Sequence, residues 1–146
     1  MNMKKRAAPQ GSRGQDPDRF SLIYLVNGKR LDVDRLLTKA PPVAKYESWR
    51  KGTANPVGGK AKTSGLRIFL YDGSSQRVLE TRIRSFLETD ARFLRAVARH
   101  PEVEASMLHL GLFVHGPVSV SISAALLHAM AKSGVAWRVT GYPCSD

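Results

Sequence analysis

Tyr46-Glu-Ser-Trp49-Arg50-Lys51-Gly52 sets two aromatic side chains beside two adjacent cations and a glycine. Such a group can grip an anion, or stack on a base or another ring. A plainer role is open to the same residues, with Trp49 anchoring the segment to the core while Arg50 and Lys51 are solvated. Lys60 and Lys62 follow and extend the positive charge, so residues 46–62 form the first candidate binding surface.

Nothing comparable points to catalysis. The histidines are His100, His109, His115 and His128. His109 and His115 lie roughly 20 Å apart in an extended strand, too far for one metal ion. No serine sits in a G-x-S-x-G turn, and Cys144 is the only cysteine, so neither an internal disulfide nor a cysteine-based zinc site can form. Glu80, Glu88, Asp90, Glu102 and Glu104 lie on or beside one helical stretch, where Glu80–Arg84 and Glu88–Arg92 have the spacing of ordinary helix ion pairs. Gly58-Gly59-Lys60 lacks the remaining residues of a phosphate loop. The expectation is a protein that is not an enzyme, with no catalytic residues, no metal and no cofactor.

The net charge of +11 is unevenly spread: residues 1–19 carry +3, residues 29–67 carry +7 and the rest only +1. A localised positive field favours an anionic partner, either nucleic acid or an acidic protein surface. It also suits a merely solvated loop. No apolar run approaches the ~20 residues of a membrane span, and the longest, residues 108–114, is broken by Gly111. The basic start runs into Ala7, Ala8, Pro9 and Gln10 where a secretory signal would be apolar. A cytoplasmic protein without a membrane partner is expected.

These residues need elements to position them. Residues 1–19 have almost nothing apolar and predict a disordered basic tail, leaving 20–146 as a single domain. Apolar and aromatic runs predict strands at 20–26, 66–71, 107–115 and 135–142. Helical spacing predicts a short helix over 34–39, capped by Asp32 or Asp34. It predicts a long one over 78–99 with a break at Thr89-Asp90, and another over 121–132. Residues 41–64, with Pro41, Pro42, Pro56 and three glycines, predict a long basic loop.

The fold expected is α+β, β-α-loop-β-α-β-α-β, with a four-stranded antiparallel or mixed sheet and all helices packed on one face. Leu108, Leu110, Leu112 and Val114 should mark the covered face. Alternation puts Arg67, Phe69 and Tyr71 opposite Leu66, Ile68 and Leu70. The partly open face would then present Phe69, Tyr71, His109, Phe113, His115, Arg138 and Tyr142. It could meet a partner protein, stacked bases, the loop 41–64, or a second copy of the chain in a homodimer.

This layout resembles an uncharacterised bacterial family, domain of unknown function 4279, over about residues 20–143. Leu31-Asp-Val-Asp34-Arg-Leu-Leu37 resembles the family's Leu-Asp-Pro-Asp helix start, with Val33 where proline is common. Trp49-Arg50-Lys51-Gly52 is similar to its Arg-Lys-Gly stretch. The closing strand, Gly-Pro, Ser-capped helix, Gly and strand over 108–142 match best, while Arg67-Ile-Phe replaces a Trp-bearing strand. The resemblance implies an α+β fold and carries over no catalytic residue. The expected function is a non-catalytic binding module. Its rivals are a nucleic-acid-binding accessory protein, an immunity-type protein that caps an acidic partner, and an enzyme with a hidden site.

Overall fold

The elements run β1 (Arg19–Gly28), α1 (Val33–Leu37), β2 (Lys45–Trp49), β3 (Ser64–Gly73), α2 (Gln76–Thr89), α3 (Ala91–Ala98), β4 (Ala105–Val114), α4 (Ala124–Lys132) and β5 (Ala136–Pro143). They come from a computed structural model that describes residues 17–41 and 45–145. Most of the expected tail, residues 1–16, lies outside the described residues, and β1 starts at Arg19, inside the span assigned to that tail.

Helix starts follow from side-chain oxygens that satisfy the first backbone N–H groups. Asp32 accepts from Arg35 N, Ser75 from Val78 N and Ser123 from Leu126 N. Ser123 moves the start of α4 three residues past the expected one, leaving 117–123 irregular. The long helical stretch does break, at Asp90, which closes α2 and opens α3. Asp90 makes no capping bond with its side chain, and burial raises its carboxyl pKa.

The sheet has five strands in the order β2-β3-β1-β4-β5, not four. All neighbours are antiparallel except β4 and β5, which are parallel and joined across α4. The extra strand, β2, comes from the stretch read as loop. Its residues Lys-Tyr-Glu-Ser-Trp show no apolar alternation because an exposed edge strand has little to bury. Beyond it the chain continues as a hairpin: Gly52 N donates to Ala61 O, Ala61 N to Thr53 O, and Asn55 N to Gly59 O. Gly58 and Gly59 take φ of 105° and 75° at its tip, so this glycine pair serves a turn.

The core lies on one side of the sheet. Leu22, Val26, Leu66, Leu108 and Leu110 are fully buried there, with Phe20, Tyr24 and Ile68. Val33, Leu36, Leu79, Ile83, Phe86, Leu94, Val97, Leu126 and Met130 join them, so all four helices pack on this side. Tyr24 sits 5.2 Å from Phe86 and 6.2 Å from Phe93 between ring centroids, and burial holds its phenol above its usual pKa. Leu112 packs at the margin of the core, and Val114, expected to be covered, is only half-buried at the end of β4.

A bulge changes one expected side chain's face. Leu22 pairs with Tyr71 and Ile23 with Phe69, so Leu70 has no partner on β1. The extra residue turns Tyr71 to the helix side, where its hydroxyl accepts from Ser75 N at 2.9 Å. Tyr71 therefore packs against the core, and plain alternation misplaces it.

Candidate functional site

Among the described residues, the opposite face of the sheet carries no helix. Its side chains run in rows set by strand register: Lys45, Phe69, Ile23, His109 and Arg138 across the middle, then Glu47, Arg67, Leu25 and Met107, then Trp49 beside Gly65 and Asn27. On the other side of the middle row lie Asp72, Ser21, Gly111 and Thr140, followed by Arg19, Phe113 and Tyr142. Ile23, Leu25, Phe69, Met107 and Phe113 are half-buried and stand outside the core cluster.

Aromatic rings on this face are paired with cations at three stations. The Arg19 guanidinium lies 4.6 Å from the Phe113 ring centroid, and Phe113 stacks on Tyr142 at 4.8 Å and 14°. The Lys45 ammonium is 5.8 Å from Phe69, and the Arg67 guanidinium 5.7 Å from Trp49. Two of the cations are also held by carboxylates of the same face, Arg19 by Asp72 at 3.1 Å and Arg67 by Glu47 at 3.3 Å.

Glycine makes room for the rings. A Cβ at Gly65 would strike the Trp49 indole and come within 2.6 Å of Val26 O, so the indole lies directly on the backbone of β3. A Cβ at Gly111 would sit 3.3 Å from Tyr142 and 3.4 Å from Phe113, under the stacked pair.

His109 occupies the centre. Its Nε2 lies 2.9 Å from Thr140 Oγ1. Partial burial, then the positive charges of Arg138 and Arg67, lower its pKa, which favours the neutral ring. The middle of the face is thus an apolar and aromatic floor with its cations at the sides.

A cleft opens at each end. One, 720 Å³ in volume, is lined by Trp49, Arg67 and Glu47 with Arg50, Thr53 and Lys62 of the hairpin. The other, 560 Å³, is lined by Arg19, Phe113, Asp18, His115, Ser74 and Cys144. Trp49 and Phe113 therefore each stand at a cleft mouth beside an arginine. Among the described residues no group of three or more His, Cys, Asp or Glu side chains is placed to hold a metal ion.

The structure brings together Trp49, Phe69, His109, Phe113, Arg138 and Tyr142 on this face, with Arg50 and Lys62 lining the Trp49 cleft. Other expected residues separate. Tyr46 is three positions from Trp49, so it faces the helix side of β2, 48% exposed, opposite Ile68. Arg50 pairs with Asp34 of α1, Lys51 is tied by its backbone N to Ser64 Oγ at 2.8 Å, and Lys60 stands in the hairpin opposite Ala54. His115 lies just past β4, its backbone N donating to Asp18 Oδ1 at 3.2 Å, and not on the strand face.

Sequence reasoning missed Arg19, Lys45, Ile23 and Leu25 as parts of this surface. Arg19 precedes the apolar run of β1, and its parity with Ser21 and Ile23 was the available signal. Lys45 gave none, because its strand was not recognisable. No family model, no curated protein and no solved structure matches the chain, so the resemblance to domain of unknown function 4279 rests on the order of its motifs alone.

Proposed function

We propose that the protein is a non-catalytic binding module whose working surface is the helix-free face of the sheet, and that its partner is anionic. One observation carries the reading: every cation–π pair among the described residues, Arg19–Phe113, Lys45–Phe69 and Arg67–Trp49, lies on that face. The three bring cations and ring faces together on the one side of the sheet that no helix of the described residues covers. The face carries four strand cations, Arg19, Lys45, Arg67 and Arg138, against two carboxylates, Glu47 and Asp72. A homodimer through this face would set that excess of positive charge against itself, because a two-fold interface repeats one patch. The single thiol, Cys144, suits a reducing cytosolic compartment.

Retention on an anionic polymer column tests the reading. Lys45→Glu with Arg138→Glu should elute at much lower salt than native protein. Arg92→Glu with Arg95→Glu, the same charge change on α3, should elute much closer to native. Equal shifts for the two pairs would show that net charge alone is sensed, and the face would lose its role.

A further inference from the structure

We infer that the occupant of this face is a single-stranded polynucleotide, its bases stacked on the Phe113–Tyr142, Phe69 and Trp49 stations and its phosphates met by the flanking cations. The inference rests on the binding role proposed above and adds the chemistry of the partner. An acidic protein surface needs cations but has no particular use for rings set beside them. A polynucleotide needs both, because every base has a π-face and every step carries a phosphate.

Three features favour bases over carboxylates. The rings are spaced along the sheet: Phe113, Phe69 and Trp49 oppose Arg19, Ile23 and Asn27 along the line of β1, Trp49 through Gly65. Successive stations are therefore about 13 Å apart along the strands, more than one stacked base. The floor between them, Ile23, Leu25, Met107 and the neutral His109 ring, is apolar or uncharged and suits the faces of bases. A cleft sits at each end; the one beside Trp49 carries Arg50, Lys62 and Arg67 against Glu47 and gives the strand a cationic exit, while the one beside Phe113 sets Arg19 against Asp18. A duplex hides its base faces in its own stack, which makes this surface selective for unpaired strands.

Fluorescent oligouridylate, oligothymidylate, a DNA duplex and polyglutamate, each titrated with the full chain, test the inference. Single strands should bind at least tenfold tighter than duplex or polyglutamate. Binding should weaken with a log–log salt slope between about −1.5 and about −3, the first if Arg19 and Arg67 keep their carboxylates and the second if all four cations meet phosphates. Phe113→Leu and Trp49→Leu, which keep an apolar side chain and remove the ring, should each weaken single-strand binding roughly tenfold and leave polyglutamate binding unchanged. In a Trp137→Phe background the remaining indole is Trp49, and its emission should be quenched by oligonucleotide in native-like, folded protein. RNA and DNA binding alike support the inference, and the tighter of the two identifies the sugar. Polyglutamate binding without single-strand binding, or leucine variants that bind oligonucleotide as native does, overturns the inference and leaves the anionic-partner reading intact. No binding to any of the four overturns both.

Discussion

The two faces of one sheet are built from the same strands and obey different rules. On the helix side, Leu22, Val26, Leu66, Leu108 and Leu110 are fully buried, and the polar groups there are few and bonded, as with the Tyr71 hydroxyl. On the other side, Ile23, Leu25, Phe69, Met107 and Phe113 are half-buried, interleaved with arginines and a lysine that lie on aromatic rings. The first face is what folding requires. The second sets half-buried apolar and aromatic side chains where no helix of the described residues covers them, and the proposed binding role rests on that. Under the proposed function, the contrast separates residues that make the fold from residues that use it.

The largest expected effect tests that separation directly. Leu110→Ala should cost about 2–5 kcal/mol in urea unfolding, because a fully buried leucine leaves a cavity that relaxes only in part. Phe113→Leu, on the neighbouring parity of the same strand, should stay within about 1 kcal/mol. Similar losses for the two would mean that the second face is structural after all.

Gly65→Ala comes next. The new methyl group must displace the Trp49 ring and also crowds Val26 O, so a loss of about 1–3 kcal/mol with a shift in tryptophan emission is expected. Adding Trp49→Ala should recover part of the loss, since one of the two obstacles is then gone. If the double variant is no better, the indole does not lie on Gly65 and the station at that end is not preformed.

The smallest effect is a pH dependence. The folded-state pKa of His109 is lowered, so the unfolded chain binds the proton first as pH falls. Stability tied to this residue is complete above the ordinary histidine pKa of about 6.5 and declines as pH drops from there through the lower folded value. Thermal unfolding should show this limb in native protein and a flatter one in His109→Gln. An unchanged limb would show that His109 does not carry it.

Several parts of this architecture were legible from local chemistry. The apolar run after Arg19, the alternation of Leu108, Leu110 and Leu112, the cap at Asp32 (one of two expected), and the break at Thr89-Asp90 all depend on near neighbours in the chain. β2 was not legible, because an edge strand with exposed Lys45, Tyr46, Glu47 and Ser48 carries no burial pattern; its pairing with β3 makes it a strand. Tyr71 was misplaced because a bulge is set by how two strands align, which neither strand's sequence states alone.

The amino-acid sequence by itself determined the class of the fold, which side of β4 is buried, and where the excess positive charge lies along the chain. Those follow from periodicity, capping and composition, all properties of short stretches. Only the tertiary structure decided that Arg19, Lys45 and Arg67 reach Phe113, Phe69 and Trp49 on one face. These pairs join residues 94, 24 and 18 positions apart, and register between strands, not sequence proximity, sets their distances.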